Sequence, residues 1–64
     1  MPADPRQVAE QIRTALVRAA RIAYDEAAMQ GLCAEGAWEV AVGAMRALDL
    51  SSFVAPTSLA DHEH

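Results

Sequence analysis

Between Pro5 and Leu48 the positions that recur at helical spacing are filled mostly by alanine: Ala9, Ala15, Ala19, Ala20, Ala23, Ala27, Ala37, Ala41, Ala44 and Ala47. Gly36 and Gly43 join them in the second half. Alanine favours helix more than any other residue, but its methyl group removes little apolar area from water. A buried leucine or phenylalanine contributes about 1.5–3 kcal/mol. Helices built from alanine approach closely and gain little from the approach. The pattern predicts an all-α chain whose core is completed by something outside it.

Length sharpens the point. In a chain of 64 residues with one Trp, one Tyr and one Phe, a single core supplies only about 3–5 kcal/mol. Domains of this size draw on disulfides, metals or partner subunits. Cys33 is the lone cysteine and forms no internal disulfide, and no Cys/His set has zinc-site spacing. Oligomerisation or docking is the route left, and no cofactor or metal is expected.

The formal charge is −4, with a sequence pI near 4.8. The basic residues are all arginines, and most are interleaved with carboxylates along the first helical stretch. Phosphate binding needs a concentrated positive face, and two helices are too few for a helix-turn-helix core, so nucleic acid is not an expected partner. No apolar run approaches the roughly 20 residues that span a bilayer, and MPADPRQ lacks the basic start and apolar middle of a signal peptide. The expectation is a cytoplasmic protein without membrane insertion.

The first helix is predicted over 5–30. Asp4 is suited to cap its free N–H groups, Pro5 fits the first helical position, and Gln7 stands where a capping-box partner reaches back. Val8, Ile12, Ala15, Leu16, Ala19, Ile22 and Ala23 then recur every three or four residues, forming one stripe. Gly31 is the expected left-handed residue after the helix, with Leu32 folding back as in a Schellman cap. The short connection makes the second helix, predicted over 34–48, antiparallel to the first. It has Glu35 and Glu39 near its start but no Ser, Thr, Asp or Asn to cap it. From Leu50 onward, paired serines, Pro56 and the polar run Asp61, His62, Glu63, His64 break the helical period. The expected organisation is a hairpin domain over 1–49 and an extended tail over 50–64, whose Leu50, Phe53, Val54 and Leu59 suit it to docking.

The second helix presents more apolar surface than one neighbour covers. Trp38, Ala41, Val42, Met45 and Leu48 form a bulky stripe; Gly36, Val40, Gly43, Ala44 and Ala47 form a flatter one. A glycine inside a helix costs about 0.5–1 kcal/mol against alanine, which favours a close-approach role for Gly36 and Gly43. On the first helix Val17 and Tyr24 form a second, narrower stripe. Partner contact is therefore expected at Tyr24, Gly36, Trp38, Val40, Val42, Gly43, Met45, Ala47, Leu48 and Phe53. The partner is a second copy or a larger subunit, and the function is that of a noncatalytic accessory or regulatory protein.

An alternative places chemistry across a dimer axis, with Glu26, Cys33, Glu35 and Glu39 making a minimal carboxylate or thiol enzyme or a metal site. Ferritin-like bundles pair glutamates with helical histidines, and this chain's histidines both lie in the tail. The simpler expectation is that Cys33 packs between the helices and that Glu26 accepts N–H bonds from the uncapped second helix. Asp61 to His64 are too poorly preorganised to make a specific metal site. Arg21 and Asp25 read as a surface ion pair at i,i+4.

Overall fold

A computed structural model describes residues 4–54. It shows two helices, α1 (Pro5–Met29) and α2 (Ala34–Ala47), followed by a 3-10 turn over Leu50–Phe53. Among the described residues there is no strand. The chain is an all-α helical hairpin, and the boundaries follow from local chemistry at each helix end.

At the start of α1 the Asp4 carboxylate accepts from the Arg6 N–H at 3.0 Å, and Pro5 occupies the first helical position. At its end Gly31 takes φ +96°. The Gly31 N–H donates to the Ala28 carbonyl and the Leu32 N–H to the Ala27 carbonyl, both at 3.0 Å, the paired bonds of a Schellman cap. The cap of α2 comes from an unexpected residue: the Cys33 sulfur accepts from the Gly36 N–H at 3.4 Å. Cys33 is exposed rather than packed between the helices. Glu35 in the first turn of α2 and Arg46 in the last complement its dipole.

The helices pack against each other along nearly all of α2. At 1.5 Å per residue α1 is about 37 Å long and α2 about 21 Å, so the N-terminal part of α1 extends past the end of α2. The 3-10 turn returns onto that overhang. The first part of the expected tail is thus folded. The Asp49 carboxylate accepts from the Ser51 N–H at 3.1 Å and from the Ser51 hydroxyl at 2.6 Å, while the Ser52 hydroxyl donates to the Asp49 carbonyl at 2.9 Å. The serines that interrupt the helical period are what close this turn. Pro56, Leu59 and Asp61 to His64 lie outside the described residues.

The buried residues of the hairpin are Ala27, Ala37 and Ala41. Half-buried Val8, Ile12, Ala15, Leu16, Ala19, Ala23, Ala44, Met45 and Leu48 extend the seam. It matches the predicted stripe on α1 except at Ile22, which is 50% exposed at its margin. On α2 the seam combines Ala37 with Ala41, Met45 and Leu48 of the predicted bulky stripe and Ala44 of the flat one, while Trp38 and Val42 fall to one side and Gly36, Val40, Gly43 and Ala47 to the other.

Candidate interaction surface

Two helices make a single layer, whereas a domain core needs at least two layers. A seam of alanines therefore has an open face above and another below. Helix geometry assigns residues to each. Successive residues turn about 100° around each axis, and the sense of rotation reverses between antiparallel helices viewed from one end. The side of α1 with Val17, Ala20 and Tyr24 thus shares one broad face with the side of α2 that bears Trp38, Val42 and Met45. The opposite face carries Ile22 and Met29 from α1 with Gly36, Val40, Gly43 and Ala47 from α2.

On the first face Trp38 is 54% and Val17 52% exposed, while Tyr24, Val42 and Met45 are half-buried. On the second, Met29 is 85% and Val40 42% exposed, and Gly43 and Ala47 are open to solvent. The expected contact residues are therefore divided between two surfaces. Leu48 belongs to neither, because it lies half-buried in the seam. Phe53 is half-buried against α1, where it borders a concavity with Glu10, Gln11, Thr14, Ala15 and Arg18.

The two glycines separate in character. A Cβ built on Gly36 meets the Leu32 side chain at 3.5 Å, so that position is covered by the chain's own connection. A Cβ on Gly43 meets nothing within 4 Å, and no segment of the hairpin approaches it closely. Met29 and Ile22 were not among the expected contact residues. Their i,i+7 spacing on one side of α1 was the signal for this second exposed patch.

The polar candidates are dispersed. Glu26 is exposed and is not the cap of α2, since the Cys33 sulfur fills that role. Glu35 and Glu39 are exposed as well. Among the described residues no group of three His, Cys, Asp or Glu side chains is placed to hold a metal ion. A site using Glu26, Cys33, Glu35 and Glu39 requires two chains. Among the described residues the surface ion pair is Arg13 with Glu10 at 3.5 Å, in place of Arg21 with Asp25. Among the described residues no helix is long and apolar enough to cross a membrane. No protein-family model, curated protein or solved structure matches the chain.

Proposed function

We propose that the chain is a noncatalytic helical interaction protein, acting in the cytoplasm as an accessory or regulatory subunit of a larger assembly or as a homodimer. The observation that carries this reading is an inversion of the usual core. The residues shielded from solvent are Ala27, Ala37 and Ala41, whereas Val17, Ile22, Trp38, Val40, Leu50 and Val54 are exposed. Tryptophan and tyrosine are over-represented among residues that dominate binding energy, and Trp38 and Tyr24 share one open face. Occupancy is the mechanism: a partner covers that face, and the hairpin gains its second layer.

The test is molar mass by light scattering, on the protein alone and on material purified with its companions from native lysate, together with thermal unfolding. The expected result is an assembly whose unfolding midpoint falls on dilution. A monomer that unfolds cooperatively at a concentration-independent midpoint contradicts the reading.

A further inference from the structure

With 14 residues in α2 and 25 in α1, antiparallel packing from the connection brings the end of α2 level with about Leu16. The stripe of α1 that faces α2 does not stop there. Val8, Ile12 and Ala15 carry it along the overhang, and all are half-buried. Among the described residues, the segment that returns to this overhang is the 3-10 turn Leu50–Phe53. Phe53 and α1 border an open concavity of about 430 Å³, lined by Glu10, Gln11, Thr14, Ala15 and Arg18. The turn adds apolar surface of its own, since Leu50 is 48% and Val54 49% exposed.

The onward course of the chain supplies an occupant. Val54 leaves the turn extended, at φ −114° and ψ 162°, and residues 55–64 follow it. Extended chain spans about 3.3 Å per residue, so Leu59 reaches up to about 17 Å from Val54. Val8 lies one and a half turns before Thr14, about 9 Å along the helix. The segment is long enough, and Pro56 gives it a place to turn.

Charge sets the direction. Over 4–21 the arginines Arg6, Arg13, Arg18 and Arg21 stand against Asp4 and Glu10. Over 22–54 the balance reverses, with Asp25, Glu26, Glu35, Glu39 and Asp49 against Arg46. Asp61 and Glu63 are therefore repelled from the connection end of the hairpin. They are attracted to the start of α1, where the helix dipole is also positive.

We propose that residues 55–64 of this chain lie back along the N-terminal overhang of α1, with Leu59 seated between Phe53 and Val8 and with Asp61 and Glu63 beside the first turns. The segment gives the overhang the cover that α2 gives the rest of α1. It leaves the face of Trp38 and Tyr24 free, so it goes beyond the assembly proposed above and does not rest on it.

A nitroxide at position 62 locates the segment. In the full chain carrying Cys33→Ser and His62→Cys, labelled on the introduced thiol, amide resonances over 5–14 should be lost while those over 28–40 persist. Adding Leu59→Ser should restore them. Without the label, Leu59→Ser alone should speed hydrogen exchange over 9–16 about threefold or more, with helicity by circular dichroism unchanged. Loss over 28–40 instead, no localised loss, or a pattern and exchange rates indifferent to Leu59→Ser overturns the proposal. Equal loss over 5–14 in a mixture of isotope-labelled chain without nitroxide and unlabelled chain with it assigns the contact to another copy's segment, and overturns it too. Each of these failures leaves the reading of the Trp38 face intact, because light scattering on the unmodified protein tests that reading separately.

Discussion

At Cys33 a helix-capping role falls to a sulfur, a weaker acceptor than the hydroxyl or carboxylate usual at that position. With the Sγ to Gly36 N–H distance at 3.4 Å, Cys33→Ser is expected to stabilise the hairpin by about 0.5–1 kcal/mol, read as a rise in the denaturant midpoint. Cys33→Ala should lower that midpoint. Gly43 gives a second prediction of opposite logic. Its Cβ position is empty to 4 Å, so Gly43→Ala should raise stability by about 0.5–1 kcal/mol through helix propensity alone. Gly31 is the reverse case. At φ +96° an alanine is strained, and Gly31→Ala should cost about 1 kcal/mol or more.

At the scale of the element, the 3-10 turn depends on one carboxylate. Asp49→Ala removes the acceptor for both the Ser51 N–H and the Ser51 hydroxyl. Hydrogen exchange at 50–54 should accelerate, and protection along the N-terminal overhang of α1 should fall as Phe53 is released. This turn was illegible in the sequence because Ser-Ser after Asp reads equally as a helix breaker and as a capped turn; only the presence of α1 beneath Phe53 decides. The helix ends were legible because Asp4, Pro5 and Gly31 act through local backbone chemistry. The seam on α1 was legible for a similar reason, since its apolar residues repeat at one period. On α2, apolar residues occupy so much of the circumference that periodicity left the inward direction undetermined. Close approach of two alanine-rich helices selected Ala37 and Ala41. Glu26 shows the same limit: an angle on a wheel placed it inward, yet near the helix end the carboxylate is exposed.

For the molecule as a whole, Trp38 separates a lone hairpin from an assembled one. On a free surface its removal changes stability by no more than about 0.5 kcal/mol, whereas at the centre of an interface truncation costs about 2 kcal/mol or more. Trp38→Ala is expected to show the larger effect, measured as weakened assembly in light scattering, with wild-type tryptophan emission shifting to the red on dilution. The alanine seam has a further consequence. Sliding α2 along α1 by one turn again sets small methyl groups against small methyl groups, because the seam row Ala19, Ala23 and Ala27 of α1 lies against the seam row Ala37, Ala41 and Ala44 of α2. Smooth surfaces do not index one another. Alignment of the two rods is therefore dictated from one end, where the Gly31 turn, Leu32 over Gly36 and the Cys33 cap hold them like a hinge pin. Lengthening that connection with inserted glycines should leave both helices formed but let them slip, so that single amide resonances across α2 become several.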